Sequence, residues 1–261
     1  MLDVKHVSKT FNPGTVNEKK ALEDISLRLE DGDFVTVVGG NGAGKSTLLN
    51  MIAGVYPIDC GHIVLNGKDM STDPEFRRAR FIGRVFQDPL MGTAGDMAIY
   101  ENMAMANRRG KPRGLRWNVT AQEKEDFKKQ LSRLGLGLED RLTAKVGLLS
   151  GGQRQALTLL MASLQRPELL LLDEHTAALD PLTARKVLEL TEEIAQEEQL
   201  TTLMITHNMN DAIRIGNRLI MMYDGKIILD VRGEEKKKLT VDALHQKFRE
   251  AANEEFSDDR A

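Results

Sequence analysis

Apolar residues alternate with polar ones through LDVKHVSKTF and EDISLRLE near the start of the chain, with the turn-rich NPGTVNEKK between them. Period-two alternation sets one side of a strand on a core and the other in water, so both stretches predict half-buried strands. The pattern then changes. FVTVV, Phe34 to Val38, is β-branched and apolar almost throughout, as a strand covered on both faces is. LLLLDE from Leu169 and TTLMITH from Thr201 have the same character. Between them, TARKVLELTEEIAQEEQL places Ala184, Val187, Leu188, Thr191, Ile194 and Ala195 on one helical face. Strand, helix, strand in that order predicts parallel pairing through a crossover.

From about Asp88 to Lys145 the texture differs: rich in methionine and charge, without buried-strand runs, and with the basic loop RRGKPRGLRW. It predicts a mainly helical insertion, in which helical core accounts for at least half of the methionines of MGTAGDMAIYENMAMA. RLIMMYDGKIILD predicts a hairpin turning at Asp224 and Gly225. The tail predicts one amphipathic helix, around Thr240 to Ala252, then a mobile polar end of about ten residues.

At 261 residues there is room for one large domain, or a domain with a subdomain. A net charge of -3 gives no overall basic footprint, so nucleic acid is not an expected partner and any polyanion must be met locally. Cys60, the single cysteine, excludes an internal disulfide and a cysteine-based metal cluster and suits a reducing compartment. The N-terminus reads as a strand and not as a signal segment. The longest apolar run, Leu219 to Tyr223, has five residues, where a membrane span needs roughly 20. A chain soluble by itself is the expectation, reaching any membrane through a partner.

The chemistry is concentrated in a few stretches. GGNGAGKST comprises Gly39, Gly40, Asn41, Gly42, Ala43, Gly44, Lys45, Ser46 and Thr47, and fits the phosphate-loop pattern G-x-x-x-x-G-K-[ST]. It follows a buried strand and opens a helix, so glycine-rich backbone N–H groups and a helix N-terminus converge on an anion. Lys45 brings a full charge to the β- and γ-phosphates, and the Ser46 hydroxyl is a Mg²⁺ ligand. LLLLDE delivers Asp173 to a metal shell and Glu174, one residue on, to orient or deprotonate water. His207, closing TTLMITH, reads equally as an ordinary surface histidine or as a functional one.

With these motifs in their order, the sequence resembles the nucleotide-binding subunit of ATP-binding cassette (ABC) transporters over residues 1 to 230. Besides the phosphate loop and LLLLDE, it has a Q-loop glutamine at Gln87 in RVFQDP, the signature LSGGQ at Leu149 to Gln153, a D-loop AALD ending at Asp180, and the switch His207. The resemblance implies an α/β fold: a RecA-like phosphate-loop core with a mainly parallel sheet, an N-terminal antiparallel β subdomain and an inserted α-helical subdomain. It implies an ATPase domain at residues 1–232, the helical subdomain at about 88–148, and a C-terminal helix and tail at 233–261.

Roles follow from the same resemblance. Phe11 would stack on adenine with Val16 beside it, although Phe11 also reads as a strand-end core residue. Gln87 would touch Mg²⁺ and the attacking water, Glu174 would be the catalytic base, and His207 would contact the γ-phosphate. Ser150, Gly151, Gly152 and Gln153, with a helix starting near Gln153, would present hydroxyl, amides and helix N-terminus to ATP on a second copy, and Asp180 would organise that facing copy. The expected assembly is therefore an ATP-sandwich homodimer, peripheral on the cytoplasmic face of the membrane and bound to separate transmembrane permease subunits. Motion would pass to these through the groove near Gln87 and the Met-rich segment, and an extracytoplasmic solute-binding protein would belong to the same system. Two departures from the family pattern stand out: His175 replaces the proline of DEPT, and Ala156 and Met161 stand where arginines are usual in the helix after the signature. Import of an amino acid or similar small solute is the expectation. A lipoprotein or peptide exporter, an iron–sulfur assembly ATPase and a nucleotide-gated scaffold remain the alternatives.

Overall fold

The computed structural model describes residues 1–111 and 119–258; Pro112 to Asn118, within and just after the basic loop, and the last three residues lie outside the described residues. The chain divides into two compact units, residues 1–78 with 201–261, and residues 79–200. Residues 1–78 carry β1 (Leu2–Phe11), β2 (Lys19–Leu29), β3 (Phe34–Gly39), α1 (Lys45–Ala53), β4 (Cys60–Leu65), β5 (Lys68–Asp69) and α2 (Glu75–Arg78). Residues 79–200 carry β6 (Ile82–Val85), α3 (Ile99–Asn107), α4 (Ala121–Ser132), α5 (Gly151–Ser163), β7 (Leu169–Asp173) and α6 (Pro181–Glu197). From residue 201 follow β8 (Thr202–Ile205), α7 (Met209–Arg214), β9 (Arg218–Tyr223), β10 (Lys226–Arg232), α8 (Glu234–Lys237) and α9 (Val241–Asp258).

In the first unit, β2, β1, β4 and β5 form an antiparallel sheet in that order. The predicted alternation buries Leu2, Val4 and Val7 of β1 against Ile25, Leu27 and Leu29 of β2. The register slips at bulges where His6 and Asp24 take positive φ (49° and 50°), and there His6 Nδ1 lies 2.8 Å from Asp24 Oδ1. β3 lies between β8 and β9 and runs parallel to both, while β10 pairs antiparallel with β9. Val35, Val37 and Val38 are buried, and the one polar residue among them, Thr36, donates its hydroxyl to the Ala212 carbonyl at 2.8 Å. The β9–β10 hairpin turns at Asp224 and Gly225 as the sequence predicts, with φ of 37° and 72°, the pair of positive angles that a tight right-twisted hairpin needs. At the far end of α1, the buried Arg78 donates through Nη1 to the Met51 and Ile52 carbonyls at 2.7 and 3.0 Å, a cationic cap on the helix C-terminus.

In the second unit β6 and β7 are parallel, pairing from Ile82 with Leu169 to Val85 with Leu172. α6 buries Val187, Leu188, Thr191, Ile194 and Ala195, as its period predicts, and leaves Ala184 half-buried. α5 is buried on all sides from Gln155 to Ser163; Ala156 and Met161 therefore lie in the core, where an arginine would be desolvated. Between Asp88 and Lys145 the described residues form helices and short 3₁₀ turns with a single β-bridge, Ala98 to Lys145, in keeping with the helical reading. Of the four methionines there, Met103 is buried and Met97 half-buried, while Met91 and Met105 are exposed.

Three strands escape the hydropathy pattern. CGHIVL and IGRV (β4 and β6) are interrupted by His62 and Arg84, and β5 has only two residues. The tail also differs: α9 continues to Asp258, beyond the Ala252 boundary and into the end read as mobile. Among the described residues no helix is long and apolar enough to cross a membrane.

Candidate functional site

The phosphate loop leaves the end of β3 and enters α1 at Lys45. Gly44, the residue before the helix, has φ 96°, and a Cβ there would lie 2.5 Å from the Ala21 carbonyl oxygen, so only glycine fits. No side chain caps the N-terminus of α1 and no acidic residue stands in its first turn, which suits an anion-binding end. Lys45 is buried, and its ammonium donates to the Gly39 and Gly40 carbonyls at 2.8 and 3.0 Å, so that its charge is held inside the loop by two strong acceptors. The hairpin turn buttresses the loop, since Gly225 N–H donates to Ala43 O at 3.1 Å. The parallel register pairs Val37 with Ile205, Thr206 N–H donates to the Val37 carbonyl at 3.1 Å, and His207 is the next residue after it. Phe11 is half-buried, and its ring packs edge-on against Tyr56 at 5.3 Å with Lys9 Nζ 5.7 Å from its centroid. Val16 is fully exposed on the turn between β1 and β2.

In the second unit, the pairing of β6 with β7 runs out at Val85 and Leu172; Gln87 follows two residues beyond the end of β6, and Glu174 is the residue directly after β7. Glu174 takes a positive φ of 44°, a costly conformation for a residue with a Cβ and one that recurs at functional sites. Asp173 Oδ2 lies 3.8 Å from Arg84 Nη2, and the Arg84 guanidinium stands over the Phe86 ring at 4.5 Å. Gln155 of α5 donates Nε2–H to the Phe86 carbonyl at 3.1 Å, tying the signature helix to the backbone just before Gln87. Sequence patterns single out neither Arg84 nor Gln155; the polar break that Arg84 makes in an apolar strand was the available signal.

α5 starts at Gly151, two residues earlier than the sequence suggests. Ser150 and Gln153 form a reciprocal capping box, each side chain bonded to the other's backbone N–H at 3.2 Å. Ser150 and Gly151 are exposed, whereas Gly152 is buried: its Cβ would lie 2.1 Å from Thr183 Cγ2, so this glycine also serves packing against the start of α6. Asp180 caps α6 by accepting from Thr183 N–H at 3.1 Å, and hydrogen bonds from Thr183, side chain first and then amide, hold its carboxyl below the usual carboxylate range.

His175 does not face solvent. Its Nε2 is 3.0 Å from Thr191 Oγ1, and that hydroxyl donates to the Val187 carbonyl at 2.7 Å, so the imidazole must be the donor and carry its proton on Nε2. Burial lowers its pKa to about 4. An unfolded histidine gains a proton near pH 6.5 while this one stays neutral. Stability is therefore fully present above that pH and is lost on acidification at about 1.4 kcal/mol per unit, levelling off below pH 4 after a loss of roughly 3 kcal/mol. His175→Leu should flatten this part of the curve. Urea unfolding of both proteins near pH 7 and near pH 5 measures it, and equal slopes would assign the acid sensitivity to other groups.

The ABC transporter family profile matches residues 22–177. The tyrosine transport ATP-binding protein of Clostridioides difficile (strain R20291) is 44% identical over 249 residues, which cover 95% of this chain and 98% of that protein. The methionine import ATP-binding protein MetN 2 of Enterococcus faecalis (strain ATCC 700802 / V583) is 35% identical; the match covers 87% of this chain but 64% of that longer protein. Among solved structures, a dimeric ATP-binding cassette in a post-hydrolysis state bound to ADP and phosphate superposes with a TM-score of 0.75 at 27% identity, over 89% of this chain and 98% of that one.

Proposed function

Because the chain belongs to the ABC transporter family, we propose that this ATPase energises import of an amino acid, with tyrosine the first solute to try. The end-to-end match to a tyrosine transport ATP-binding protein carries this reading. The named relatives are transport proteins, which supports transport over iron–sulfur assembly, and the methionine relative supports the inward direction.

In this reading Lys45 and the loop amides hold the β- and γ-phosphates, Phe11 stacks on adenine, and Glu174 takes the proton of the attacking water while Gln87 and His207 orient water and γ-phosphate. The described residues contain no group of three or more His, Cys, Asp or Glu side chains able to hold a metal ion. The oxygen donors of Ser46, Asp173 and Gln87, a hydroxyl, a carboxylate and an amide, fit Mg²⁺, a hard cation that few protein groups bind together with water and phosphate oxygens. Ser46, Asp173 and Gln87 are the groups that would hold it, and its chemistry there is to neutralise charge on the phosphates. Ser150, Gly151 and Gly152, facing ATP on a second copy, make the working unit a homodimer. Permease subunits then tether it to the cytoplasmic face of the membrane, and a solute-binding protein delivers the cargo from outside.

Purification with its permease, followed by reconstitution with the binding protein in liposomes, tests the proposal. ATP-dependent tyrosine uptake is expected. Uptake of other amino acids but not tyrosine would move the assignment within the class, and ATP-driven efflux would reverse its direction.

A further inference from the structure

Gly40 occupies a position that the phosphate-loop pattern leaves open, and unlike Gly42 (φ 84°) and Gly44 (φ 96°) its backbone does not have a positive φ. Neither the motif nor the backbone thus explains a glycine there. Phe248 of α9 does: a Cβ on residue 40 would lie 3.0 Å from Phe248 Cζ and 3.3 Å from Cε2, with no other neighbour within 4 Å. The ring is itself well supported. It packs edge-on against Tyr223 at 5.2 Å and rests on the core formed by Val38, Leu219, Met221 and Leu244. It also lines, with Lys19 and Asn41 to Ala43, an open cavity of about 220 Å³ beside the loop. The contact reaches the chemistry in one further step, because the Gly40 carbonyl accepts one of the hydrogen bonds of Lys45.

We propose that Phe248 is a positioning residue for the phosphate loop, its ring setting the place of the Gly40 backbone and, through it, of the Lys45 ammonium. The C-terminal helix is then part of the nucleotide-binding apparatus and not an appendage to it. The inference rests on the reading that this loop binds ATP.

A double-mutant cycle on the full-length chain tests both. The dissociation constant for ATP and the melting temperature are measured for wild type, Gly40→Ala, Phe248→Leu and the pair; leucine keeps an apolar anchor on the core but lacks the outer ring atoms. Gly40→Ala alone should weaken ATP binding about three- to tenfold, the effect of modest overpacking, at a near wild-type melting temperature. In the Phe248→Leu background the added methyl has room, and the penalty should vanish. The same penalty in both backgrounds, or none in either, overturns the proposal. ATP binding by wild type that Lys45→Ala leaves intact would instead overturn the loop reading itself.

Discussion

Glu174→Gln is expected to cut steady-state ATP turnover by about 10²–10⁴-fold, the usual worth of general-base catalysis, while ATP still binds. Glutamine has nearly the shape of glutamate and can occupy the same strand end, but it cannot take a proton. The positive φ of 44° at this residue, directly after the end of β7, singles out this side chain over the other carboxylates of the unit. Phosphate release measures the rate, and light scattering in the presence of Mg-ATP measures the assembly, which should accumulate as a dimer. A variant that turns over at the wild-type rate would remove Glu174 from the chemistry. One that stays monomeric with saturating Mg-ATP would refute the sandwich.

Lys45→Ala should weaken ATP binding by roughly 10- to 100-fold, since each hydrogen bond from a charged donor contributes about 1.5–3 kcal/mol, and hydrolysis should fall with it. The fold should tolerate the change. The Gly39 and Gly40 carbonyls lose their ammonium donor, yet the loop stays fixed by the Gly225 N–H bond to Ala43 O and by the entry into α1. Titration calorimetry with ATP, beside a melting curve, separates lost binding from lost structure; an unchanged dissociation constant would refute the assignment of the loop.

What could be read in the sequence is what is encoded locally. The phosphate loop, the carboxylates at the end of β7 and the D-G hairpin each need only a few adjacent residues, and the buried strands β3, β7 and β8 declare themselves by unbroken hydrophobicity. Contacts between distant parts of the chain carry no such mark. Phe248 sits far along the chain from Gly40, and only the fold shows why that glycine is there. Gln155 reads as one more polar residue of LSGGQRQAL, whereas in the structure it is buried and bonded to the backbone before Gln87. His175 departs from the family pattern in a way that leaves its partner unknown until α6 brings Thr191 to it.

The neighbours of β3 have a consequence for how the protein is made. The strand that delivers the phosphate loop pairs with β8 and β9, which begin at residues 202 and 218. A chain emerging from the ribosome therefore completes GGNGAGKST early but lacks both strands that flank β3 until most of the message has been translated. Pairing between such distant segments is slow, because a long loop must close before any contact forms. Synthesis must accordingly run past the β9–β10 hairpin before the loop can close on a nucleotide, so a prematurely terminated product would have the most recognisable motif in the sequence and no competence to bind ATP.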